Sequence, residues 1–239
     1  FAEAMACYER AHQALIPLGD ADGIMSVIHN KAVTLTSLND FREALAAYES
    51  ARELAAARGL DQIVAQTDYN IAWLYYLRGE YSRAIEILHT AAAASKRTGD
   101  AYHAALSLLD LSEIYLELNL SVDAREMAEQ AHARFSELGM GYEAAKALAN
   151  AATSHGQEGK AFKALEIYAT ARTGMVSEQN HAWPSLIDLY QAILLVDEGR
   201  LFEARRLCLA APACFEQSGL SSRAAMCHLL LARIALRLD

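Results

Sequence analysis

The chain has 239 residues, 54% hydrophobic and 21% charged, with 21 Lys and Arg against 30 Asp and Glu for a formal charge of −9. That balance argues against a sequence-independent grip on nucleic acid phosphates and leaves a basic protein partner open. No stretch approaches the ~18 apolar residues of a membrane span, and the N-terminus shows no charged segment leading into an apolar one, so the reading is a cytoplasmic protein with no membrane partner.

In chain order, a helix is expected over about residues 2–18, and from there a 40-residue pattern recurs without slipping. Ala4, Ala44, Ala84, Ala124, Ala164 and Ala204 stand one period apart, as do Ala11, Ala51, Ala91, Ala131, Ala171 and Ala211. Each period reads as two helices of about 18 residues with apolar side chains at helical spacing. The mid-period turns, Asn39-Asp40, Gly79-Glu80, Asn119-Leu120, Gly159-Lys160 and Gly199-Arg200, begin with residues that tolerate the left-handed cap conformation. A second turn column is Gly19, Gly59, Gly99, Gly139 and Gly219, with Gln179 the departure. The boundaries are a half repeat at 1–20, full repeats at 21–60, 61–100, 101–140, 141–180 and 181–220, and a half repeat at 221–239. They make one repeat domain, expected to be part of a longer protein. Such units are too small to bury an apolar face alone and must stack on neighbours. The expected fold is all-α: a right-handed α-solenoid of antiparallel helix pairs with about 12 helices.

First helices carry a small column at Ala32, Ala72, Ser112, Ala152, Ala192 and Ala232, with Leu35, Tyr75, Tyr115, His155 and Leu195 three residues on. In second helices Phe41, Tyr81, Phe162 or Leu201 precedes the recurrent Ala, and Tyr8, Tyr48, Leu88 or Tyr168 follows it by four. This layout resembles the tetratricopeptide repeat, whose usual period is 34. Phrases such as NIAWLYYLRGEYSRAIEILHTA resemble the arrays of bacterial CHAT-domain proteins (caspase-like peptidases) and MalT-like regulators, and more remotely kinesin light chains. The resemblance implies a protein- or peptide-binding scaffold, the sensor or recruitment arm of a larger bacterial protein. The alternatives are a self-association scaffold with end-to-end contacts, and the non-catalytic part of a CHAT-type peptidase.

In that repeat the first helices line the concave face. Two residues before the small column stand Asn30, Asn70, Asp110, Asn150 and Tyr190. An Asn there can donate to a backbone carbonyl and accept from an N–H, which suits an extended peptide, and the resemblance to kinesin light chains implies that use. The structural alternative is that these groups only bridge neighbouring first helices. Gln66, Trp73, Glu113 and Lys146 share the face, with Trp73 as anchor. In the fifth repeat Leu186, Leu189, Tyr190 and Ile193 make it apolar.

No catalytic, metal or cofactor motif is expected. Gly139, Gly141 and Ala144 satisfy GxGxxA, but a helix precedes them where a dinucleotide loop needs a strand. Cys227 and His228 are helical neighbours and diverge. Cys7, Cys208, Cys214 and Cys227 follow no ligand spacing and read as buried free thiols.

Overall fold

The structure, a computed structural model describing residues 1–238, contains twelve α-helices among those residues. They are α1 (Ala2–Leu15, continued by a 3-10 turn at Ile16–Leu18), α2 (Ala21–Ser37), α3 (Phe41–Ala57), α4 (Asp61–Leu77), α5 (Tyr81–Thr98), α6 (Ala101–Glu117), α7 (Ser121–Glu137), α8 (Gly141–Gln157), α9 (Ala161–Ser177), α10 (Ala182–Asp197), α11 (Leu201–Gln217) and α12 (Ser221–Leu238). Even-numbered helices are the first helices of the repeats and odd-numbered ones the second. The fold is all-α, built of helix pairs in which neighbours in sequence pack against each other.

Two compact units divide the helices, residues 1–110 and 111–239. In the first, consecutive helices from α1 to α5 pack side by side, and in the second the same holds from α7 to α12. Short connections enforce this, because a three-residue turn returns the chain against the helix it has just left.

The turns work as their columns predict. Asn39, Asn119, Gly79, Gly159 and Gly199 all take positive φ, as do the five glycines of the other column and Gln179 at φ 54°. At Gly79 the Glu80 N–H bonds the Tyr75 carbonyl and the Gly79 N–H bonds the Tyr76 carbonyl, both at 2.9 Å. The closing carbonyls of α4 are thereby satisfied in a Schellman pattern.

The alanine columns are the packing seams. Ala44, Ala84, Ala124, Ala164 and Ala204 are 0% exposed, and Ala51, Ala91, Ala131, Ala171 and Ala211 are almost as deeply buried. Around them Leu74 and Leu88 fill the first unit, and Phe135, Met175, Ile187 and Phe215 the second. Two expectations need correction. Phe162 lies one residue off the Phe41, Tyr81 and Leu201 column and is 85% exposed, and Ala161 holds the column instead. Of the cysteines only Cys208 and Cys227 are buried, Cys7 being exposed and Cys214 half-buried.

No described helix is long and apolar enough to cross a membrane. Among the described residues no group of His, Cys, Asp and Glu side chains is placed to hold a metal ion.

Candidate protein-binding faces

In the first unit the face is built on α2, α4 and the start of α6. Asn30 is exposed on α2. Asn70, one repeat on, donates from Nδ2 to the Gln66 carbonyl of its own helix at 3.1 Å and lies 3.4 Å from Nε2 of His29 on α2. His29 sits edge-on to Tyr48, ring centroids 5.6 Å apart. Burial, with a lesser effect from His103, lowers its pKa.

Gln66 donates to Asp100 Oδ2 at 2.8 Å. Asp100 also caps α6 by accepting from the His103 N–H at 3.1 Å, and its Oδ2 lies 2.9 Å from His103 Nδ1. Burial alone would raise the Asp100 pKa. The hydrogen bonds from Gln66, the His103 N–H and ring, and Gln62 outweigh it and bring the pKa down to about 2. Asp110 is buried and accepts from the Tyr69 hydroxyl at 2.6 Å, so this rung is spent inside the unit. Trp73 is half-buried, its ring 4.8 Å from that of Tyr76, which lies 6.0 Å from Tyr81.

The second unit arranges its face along α8, where Lys146, Asn150, Thr153 and Gln157 follow at helical intervals on one side. Lys146 Nζ pairs with Glu113 at 2.5 Å, Asn150 Nδ2 donates to Ser112 Oγ at 2.8 Å, and Gln157 Nε2 donates to the Leu116 carbonyl at 3.0 Å. All three acceptors belong to the last turns of α6. Thr153 Oγ1 lies 2.8 Å from the Tyr168 hydroxyl, whose ring is 6.4 Å from that of Tyr190 on α10.

Asn70 and Asn150 therefore both use amide N–H groups to bridge neighbouring first helices. The Asn150 amide oxygen has no protein donor among the described residues. Its acceptor lone pairs are uncommitted within the chain.

One feature of this face was missed in the sequence. Gly156 stands where the other repeats carry Thr36, Tyr76, Leu116, Val196 and Leu236, and the missing side chain opens a recess of about 280 Å³ between α8 and α10. Thr153, Tyr168, Tyr190, Ile193 and Leu194 wall it, with Gln157 and Asp197 at the polar end. The signal was available as one glycine inside a bulky column. On the other side of α8, against α7 and α9, lies a groove of about 580 Å³ lined by small residues, among them Gly141, Ala144, Ala145 and Gly174. Its His132 is committed, with Nδ1 3.0 Å from the Ala144 carbonyl oxygen.

Residues 63–137 match the tetratricopeptide repeat family. No curated protein sequence matches the chain significantly. Among solved structures, aspartyl phosphate phosphatase F from Bacillus subtilis superposes with a TM-score of 0.74 at 12% identity, over 95% of this chain and 64% of that one. A signal transduction ATPase with a tetratricopeptide repeat sensor, from Pyrococcus horikoshii, gives 0.73 at 16% identity over 92% of this chain and 35% of that one. A Rap protein complexed with competence and sporulation factor gives 0.69 at 18% identity over 98% and 69%. The chain thus spans about two thirds or less of the length of the first two. Residues 63–137 carry tetratricopeptide repeats, and the chain as a whole has the fold of tetratricopeptide-repeat proteins.

Proposed function

We propose that the chain is a protein- or peptide-binding scaffold, without catalysis of its own, holding an extended segment along its first-helix faces as the sensor or recruitment arm of a larger bacterial protein. The observation that carries this is the row on α8. Asn150 is fixed by its donor to Ser112 and keeps its acceptor for a partner, while Lys146 and Gln157 on either side are likewise tied to α6. A row held in this way loses little side-chain entropy on binding, and preorganisation favours affinity. The similar fold of a Rap protein complexed with a factor, and of a sensor segment in a larger ATPase, supports the reading.

The test replaces Asn70 and Asn150 together by Ala. With each backbone bond contributing about 0.5–1.5 kcal/mol, partner affinity should fall roughly 10-fold while helical content is kept. Unchanged affinity in a folded double variant removes these residues from the site.

Self-association is a second reading favoured by one observation. Ala232 on α12 is exposed, where Ala32, Ala72, Ala152 and Ala192 at the same register are 0% exposed, and Leu229 and Leu236 beside it are open as well. Sedimentation of the 239-residue chain tests it, and a strict monomer at high concentration rejects it.

A further inference from the structure

We propose that the recess between α8 and α10 receives the basic side chain, arginine or lysine, of a protein segment bound along the first-helix face. Its stem would lie on Tyr190 and Ile193 and its charged head would meet Asp197. The inference rests on the scaffold reading above and adds what that reading leaves open, the chemistry of the partner.

Size comes first. About 280 Å³ is below the roughly 300–1,000 Å³ of small-molecule pockets and suits one long side chain. The recess exists because Gly156 has no side chain. A Cβ built there would lie 3.4 Å from Leu194 Cδ1, so a larger residue such as the Leu116 or Tyr76 of other repeats would enter the space.

The walls then select among side chains. Tyr190, Ile193 and Leu194 offer an apolar and aromatic surface, which suits a long aliphatic stem. An aromatic face also attracts a cation. The Tyr168 hydroxyl is held by Thr153, and burial pushes its pKa up, so it stays neutral. Asp197 is the one carboxylate among the lining residues.

That carboxylate can exchange partners. Its contact is a single one from Arg233 Nη2 at 3.4 Å, with both side chains more than half exposed, and such pairs contribute little. Arg233 approaches from α12 and is not among the residues that line the recess. The Gln157 amide donates to Leu116, and its carbonyl oxygen is a second acceptor for the incoming head. An anionic side chain placed at the polar end would meet the Asp197 carboxylate, although Arg233 pairs with that carboxylate and Arg223 and Lys146 act on Tyr190. A short apolar one would leave the polar end unpaired.

The experiment selects binders to the 239-residue protein from a random twelve-residue peptide library and measures each recovered peptide by fluorescence polarisation. Wild type is compared with Gly156→Leu, Asp197→Asn and the Asn70→Ala/Asn150→Ala double variant. The expected result is peptides sharing one Arg or Lys position. Changing that residue to norleucine should weaken binding about 10-fold on wild type and change little on Asp197→Asn, the mark of a direct pair in a double-mutant cycle. Gly156→Leu should bind all of them about 10-fold more weakly. If Gly156→Leu folds poorly, Asp197→Asn, which alters no packed atom count, decides. Peptides that need the Asn residues but are indifferent to Gly156, Asp197 and any basic position would overturn this proposal and leave the scaffold reading standing. Recovering no peptide, or only peptides indifferent to the Asn pair as well, would overturn both.

Discussion

Tyr76 in α4 and Gly156 in α8 occupy the same place in their repeats, two periods apart, and there the two units diverge. In the first unit the position is filled, with Tyr76 between Trp73 and Tyr81 in a run of tilted rings. In the second it is empty, and the space becomes a recess floored by two tyrosines. The backbone and the buried alanine seams are alike in both. A repeat fold of this kind fixes the seams by packing and leaves the first-helix face free to vary, so a single residue in register decides between a closed aromatic surface and a pocket.

The cores should therefore respond alike even though the faces do not. Leu74→Ala in the first unit and Phe135→Ala in the second each remove a side chain that is 0% exposed. They should cost about 2–5 and 3–5 kcal/mol respectively. Trp73 and Trp183 lie one in each unit, so tryptophan fluorescence in denaturant, with each replaced in turn by Phe, follows both. A cost below about 1 kcal/mol at either site would break the parity of the cores.

Reciprocal changes at the divergent position sharpen the contrast. Tyr76→Gly loses two ring pairs, each about 0.5–1.5 kcal/mol, and some helix propensity, about 0.5 kcal/mol, for roughly 2–3 kcal/mol in all. Gly156→Ala should instead stabilise by roughly 0.5–1 kcal/mol, since its Cβ meets Leu194 at an ordinary 3.4 Å. Calorimetry showing the same sign for both would mean that Gly156 is a packing requirement rather than an opening.

How much of this was legible depends on whether the signal was periodic. The alanine seams and the left-handed turns recur at 40-residue spacing, so each repeat confirmed the others, and even Gln179 takes the conformation its column demands. The Asn rungs were visible as a row. Their bonding was not, because whether Asn70 meets His29 or a ligand depends on how α2 and α4 are rotated against each other. The recess was hidden for a related reason. One glycine within a helix reads as a weak helix former, and it becomes a cavity only where its neighbours in register are known to be bulky. Phe162 misled because apolar character was weighed above register by one residue.

Asn180, two periods on from Asp100, caps α10 of the second unit by accepting from the Trp183 N–H at 2.9 Å, but its amide carries no charge, and pH separates the two caps. Asp100, at about 2 in place of its ordinary 3.8, is stabilised by its partners while ionised. Its contribution is complete above about pH 4 and is lost as pH falls toward 2. Asp100→Asn should be less stable than wild type at pH 7, with the gap closing by pH 2. Denaturation midpoints followed through Trp73 measure it, and a gap independent of pH would mean that the Asn merely disturbs the α6 cap.

The smallest effect is expected where the two units are most alike. Arg52 grips Asp68 with Nε at 2.5 Å and Nη2 at 3.2 Å, and Arg172 grips Asp188 at 2.8 and 3.2 Å. Both arginines reach from a second helix to the next first helix, three periods apart. At the same register between them stand Ala92 with Leu108 and then His132 with Leu148, and at the second of these the small-residue groove opens instead. The two-pronged geometry favours these pairs, but each arginine side chain is 44% exposed, so solvent screening holds them near the value of surface pairs. Arg52→Ala and Arg172→Ala should each cost about 0.2–1 kcal/mol, and the cost should shrink in 1 M salt, where the screening length is about 3 Å. A loss well above 1 kcal/mol that survives the salt, in one unit only, would show that the aliphatic stem of that arginine packs as part of the core, and that the outer sides of the two units differ as their first-helix faces do.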